Sequence, residues 1–168
     1  MIDNYDDSHE SSIEPSPLNL ARCLEEQYLG DERFESIEIL EPGPLEGETV
    51  RVKYICNAAT QFMVAILEDE SIVRVGLATK DQEVSGAIEE AANDTGDSLT
   101  EFLEDLMDAE DELEYEVRHF HDDIYYFVSD LPYQRDEDLV SERMRDEIIY
   151  YLDGYMAALF DYIETKEE

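Results

Sequence analysis

Apolar residues first recur at a helical interval. After Ser16-Pro17, Leu20, Ala21, Leu24 and Tyr28 lie three and four residues apart and so share one stripe. Ser16 suits the N-cap, Pro17 the first helical position, where its missing N–H costs nothing, and Gly30 supplies a stop. The period then shortens to two. Residues 34–40 read as a short strand, ended by Glu41-Pro42-Gly43-Pro44, whose prolines forbid a continuing ladder. Val50, Val52, Tyr54 and Cys56 alternate with Thr49, Arg51 and Lys53, which turns the two cations away from the apolar side. Residues 61–67 are an unbroken apolar run, implying contact on both faces, and over 72–78 Val73, Val75 and Leu77 share a side, with Arg74 turned away. Short polar connections at 57–60 and 68–70 make these strands antiparallel, because parallel neighbours need long crossovers.

Beyond Lys80 the helical spacing returns. Val84, Ala87, Ile88 and Ala91 predict one helix, residues 93–97 break it, and Ser98 with Glu101 three residues on is a capping box for another. Leu99, Phe102, Leu103, Leu106 and Met107 form the expected buried stripe of that second helix. Leu113, Tyr115 and Val117 alternate with Glu114, Glu116 and Arg118, and residues 124–128 answer across His121-Asp122-Asp123 as a β-hairpin. After Asp130-Leu131-Pro132 a long helix is expected over 136–163, with the stripe Val140, Met144, Ile148, Leu152, Tyr155, Leu159 and Ile163. The order α, four β, two α, two β, long α predicts an α+β fold, an antiparallel sheet with flanking helices and a long C-terminal helix. Residues 1–15, with five acids, no Lys or Arg and no apolar period, are expected to be a disordered acidic leader to one α+β domain over 16–168.

This order resembles the type III secretion chaperone fold and, more particularly, the bacterial YbjN-like proteins that share it. The likeness is carried by Ile124-Tyr125-Tyr126-Phe127-Val128-Ser129-Asp130-Leu131-Pro132-Tyr133, then the acidic residues Asp136 and Asp138, then the apolar helix to Ile163. In element order it covers residues 17–163. That family has no catalytic motif, so the resemblance implies no catalytic residue. It implies a homodimeric acidic protein that binds extended segments of partner polypeptides.

Charge narrows the choice of partner. Forty-six Asp and Glu against 11 Lys and Arg give a formal net charge of −35. Such a surface repels a phosphate backbone and an anionic membrane, so neither direct nucleic-acid binding nor membrane attachment is expected. Leu, Ile, Val and Phe still number 43 of 168 residues, above the ~20% floor below which acidic chains stay unfolded. Cys23 and Cys56 are far apart, with no CxxC pair, and are expected to be buried, reduced thiols. No apolar run approaches the ~18 residues of a membrane span, and an acidic N-terminus is unlike a signal peptide, so a cytoplasmic location is expected.

Candidate chemistry is sparse. His119 and His121 lie two apart on a strand beside Asp122 and Asp123, short of the recurring ligand set of a structural metal site. They read as an exposed hairpin tip, and no metal or other cofactor is expected. Residues 81–117 hold 15 acids and no Lys or Arg, without the ligand order of a calcium loop. They read either as two helices with carboxylate-covered solvent faces or as an acidic face for a basic partner, represented by Glu101, Glu104, Asp105 and Asp108; loose divalent-cation binding is a third reading. No GxSxG, glycine-rich phosphate loop or Cys–His spacing is present, so the chain is not expected to be an enzyme. The last helix has too wide an apolar arc for a single contact. Its flank is explained by core packing, or it is kept for a second copy or a bound peptide. The second reading is preferred, with Ile149, Tyr151, Tyr155, Met156 and Phe160 as the partner-binding residues. The resulting expectation is a non-enzymatic protein-binding module, chaperone-like or regulatory, that grips a peptide segment or a basic protein through an apolar sheet or helix surface. The alternative is an acidic nucleic-acid mimic that blocks a basic DNA-binding protein, and a third is an acidity that serves adaptation to salt.

Overall fold

A computed structural model describes residues 16–107 and 113–167, with side chains to Ile163. The leader expected over 1–15 lies outside the described residues. Helix α1 (Pro17–Gln27) starts as its sequence dictates, Ser16 Oγ accepting the Asn19 N–H at 3.2 Å. Four strands follow, β1 (Ser36–Leu40), β2 (Val50–Ile55), β3 (Thr60–Leu67) and β4 (Ile72–Thr79), then α2 (Gln82–Thr95) and α3 (Leu99–Leu106). A hairpin of β5 (Arg118–Asp122) and β6 (Ile124–Pro132) turns at Asp123, whose φ is +66°, and leads to α4 (Glu142–Glu167). The chain has an α+β fold: among the described residues, one antiparallel sheet ordered β1-β2-β3-β4-β6-β5, with four helices.

Alternation decides which side of the sheet takes the helices. Val50, Val52, Tyr54, Phe62, Val64, Ile66, Val73, Val75, Leu77, Phe127 and Leu131 belong to one core with the buried stripes of all four helices. Helix α1 lies over β1 and β2, α4 crosses β3 and β4, and α2 and α3 flank α4. At the β4–β6 contact Gly76 is required, because any Cβ there would overlap the Phe127 carbonyl and Val128. The opposite face carries a second cluster of Met63, Ala65, Leu67, Ala78, Tyr126 and Val128, with Leu45 from the β1–β2 loop packed on it.

Several expectations change here. Arg51 and Arg74 do turn from the main core, yet both are buried. Glu48, also buried, grips Arg51 through two hydrogen bonds of 2.6 and 2.9 Å, and Arg51 reaches the Tyr126 hydroxyl at 3.1 Å. Tyr126 stacks on Phe120, and the guanidiniums of Arg74 and Arg118 lie 5.5 and 5.3 Å from the Phe120 ring centre. Asp130 joins both arginines. On the second face Arg51, Tyr126, Phe120, Arg74 and Arg118 thus form one run of guanidiniums and rings beside the apolar cluster, so that face is not purely apolar. On α2 the buried stripe is Val84, Ser85, Ile88 and Ala92, with Ala87 outside. Residues 136–140 form a 3₁₀ turn, and α4 begins only after Ser141, whose Oγ accepts the Met144 N–H at 3.1 Å. Neither cysteine is in a disulfide; Cys56 is buried but Cys23 is exposed, since it faces away from the α1 stripe. No helix among the described residues is long and apolar enough to cross a membrane.

Candidate protein-binding face

The junction of α3 with α4 concentrates the unusual surface. Ser98 and Glu101 form the expected capping box, each side chain accepting the other's backbone N–H at 3.1 Å. That fixed start points Phe102 and Leu103 into the core and Asp105 and Leu106 to solvent. Leu106, expected in the buried stripe, is 42% exposed. The next residue, Met107, seats against Gly154 of α4, where a Cβ would overlap its sulfur and methyl group. One turn earlier on α4, Tyr150 is 48% exposed and stands edge-on to Tyr151. Leu106 and Tyr150 thus flank one interhelical contact.

A backbone clasp borders this junction. The strand expected over Leu113, Tyr115 and Val117 is absent, and β5 begins one residue later. Side chains take the alternate N–H groups instead: Glu104 accepts from Leu113 at 2.5 Å, the Tyr151 hydroxyl from Tyr115 at 3.1 Å, and Thr100 from Val117 at 2.9 Å. The apolar alternation was real, but helix side chains satisfy the donors that a ladder would have used. Beside the clasp, Tyr115, Tyr133, Arg143, Met144 and Glu147 help to line an open cleft of about 540 Å³. Burial, and then the nearby Glu114, hold the Glu147 carboxyl above its ordinary range. Burial raises the Tyr115 and Tyr151 hydroxyls as well. No group of three or more His, Cys, Asp or Glu able to hold a metal occurs among the described residues. His119 is placed differently from an exposed tip: its ring stacks on Phe127 and its Nε2 lies 2.9 Å from Glu89.

The residues expected to bind a partner divide. Tyr151, Tyr155 and Met156 are buried in the core, Tyr155 with its hydroxyl 2.8 Å from Ser129 Oγ, so they offer no surface. The wide arc of α4 is consumed by the sheet beneath it and by α2 and α3 beside it. Ile149 and Phe160 are half-buried against the same core. On the acidic face, Glu101 serves the cap and Glu104 the clasp, Asp105 is exposed, and Asp108 lies outside the described residues. The missed residues are Leu106 and Tyr150. Tyr150 had a signal, since it falls two positions past Ile148 and hence across the helix from the buried stripe.

No family model matches the chain, and no curated protein or solved structure matches it either.

Proposed function

We propose that this chain is a non-enzymatic protein-binding module whose α3–α4 face takes a basic, amphipathic segment of a partner polypeptide. One observation carries the reading: of the three large apolar side chains exposed among the described residues, Leu106 and Tyr150 flank a single helix junction, on a chain of net charge −35. Apolar anchors ringed by one sign of charge are what a segment of the opposite sign, with an apolar stripe, can satisfy. Exposed Asp105 and Asp146 stand on α3 and α4, with exposed Glu114 in the connection before β5, so a basic segment would gain steering as well as contact. A nucleic-acid mimic would rest on carboxylates alone and gives Leu106 and Tyr150 no task.

A synthetic Lys/Leu amphipathic helix with a single Trp tests this directly, because the chain has no Trp and the probe's emission is unobscured. Binding should weaken as KCl is raised and fall about tenfold or more in the double variant Leu106→Ser, Tyr150→Ser. Unchanged binding by that variant, or an equal loss in Leu29→Ser, whose exposed side chain lies just past the end of α1, would overturn the reading.

A further inference from the structure

We infer that β5 is a self-pairing edge, through which two copies of this chain join their sheets about a two-fold axis. The inference is independent of the α3–α4 face. Strand β5 ends the sheet, and among the described residues no element pairs with its outer side. An open edge offers unpaired N–H and C=O groups to another strand, and proteins blunt it with short strands, charged side chains or prolines, so what decides self-pairing is how those charges meet their own copies.

Self-pairing about the middle residue of each edge strand places their charges differently. An antiparallel two-fold pairing centred on Glu38 of β1 would set Glu38 against the second copy's Glu38 and Glu35 against its Glu41, followed at once by Pro42. Centred on Phe120, the same operation on Arg118-His119-Phe120-His121-Asp122 sets Arg118 against the second copy's Asp122, and Asp122 against its Arg118. The five residues are charge-complementary to their own reverse. Geometry supports the pairing, since Arg118, Phe120 and Asp122 project together on the helix-free face, where Phe120 stacks on Tyr126. The two-fold would bring Phe120 onto its own copy and continue the row of rings across the junction. Arg118 uses one terminal nitrogen on Asp130 and keeps others for a cross-strand carboxylate, while the exposed Asp122 side chain bonds to no described residue. Opposite charges placed across neighbouring strands attract, and like charges there repel. On a chain of net charge −35, β5 offers a stretch with no surplus of acid, so two copies can approach there without opposing carboxylates.

Charge exchange tests the pairing without depending on one variant's fold. Arg118→Asp sets Asp against Asp twice in a homodimer, and Asp122→Arg sets Arg against Arg twice; mixed together, the two variants match every charge. Sedimentation equilibrium in about 0.15 M KCl, where repulsion between whole molecules is screened within ~8 Å, should give twice the monomer mass for the native chain, monomer mass for each variant alone, and twice the monomer mass for the mixture. Circular dichroism establishes that each variant is folded. A native chain at monomer mass, variants that stay dimeric, or folded variants that fail to pair on mixing would each overturn the inference.

Discussion

Arg51 and Glu48 lie three residues apart with side chains 1% and 0% exposed, so each is the other's substitute for water. Two charges held this way add little net stability relative to apolar residues of like volume, yet removing one leaves the other buried without a counter-ion. Arg51→Met is therefore expected to cost about 3–5 kcal/mol, and the pair Glu48→Leu with Arg51→Met to recover most of it, read from urea midpoints. Equal losses in the single and double variants would show that packing, and not the orphaned charge, sets the cost. The sequence shows which way Arg51 points, because strand alternation is a local property. It does not show that the loop between β1 and β2 folds back to bring Glu48 beneath the sheet, since that neighbour is supplied by tertiary packing and leaves no period to read. The same holds for Tyr151 and Tyr155, whose burial depends on what stands beside α4.

Element boundaries follow the same division. The cap of α3 was legible, because Ser98 and Glu101 satisfy each other's N–H groups within one turn. The start of α4 was not, because apolar spacing runs unbroken through Leu139 and Val140 while the backbone passes from a 3₁₀ turn to Ser141 before the helix proper. Ser141 Oγ accepts from Met144, and the Arg145 N–H bonds the Ser141 carbonyl. Ser141→Ala should cost about 1 kcal/mol, a fall of roughly 2–4 °C in Tm, while Ser141→Asp should keep the native value. A Tm equal to native in both variants would mean that the cap contributes nothing. The alternation of Leu113, Tyr115 and Val117 misled for a different reason: period two reports an extended chain with one side buried, and a clasp of side chains meets that description as well as a strand does.

At the scale of the molecule, five of the arginines (Arg33, Arg51, Arg74, Arg118 and Arg135) are drawn into ion pairs with acids of the same chain, so the remaining carboxylates act largely on one another. Self-repulsion of this kind weakens as salt shortens its range. Tm should rise between about 0.01 and 0.15 M KCl, as the screening length falls from ~30 to ~8 Å, and change less beyond. A flat series would show that the net charge does not oppose folding, whereas unfolding at the low end would make salt a condition of the fold. The clasp gives this charged assembly one further property. Its donors end at Val117 and β5 starts at Arg118, while its acceptors Glu104 and Tyr151 sit next to Asp105 and Tyr150. A ligand that draws those side chains outward must slacken the backbone leading into the edge strand. If the helical face and the edge take partners as proposed, occupancy of one would then alter the affinity of the other, and by reciprocity the factor would be the same in both directions.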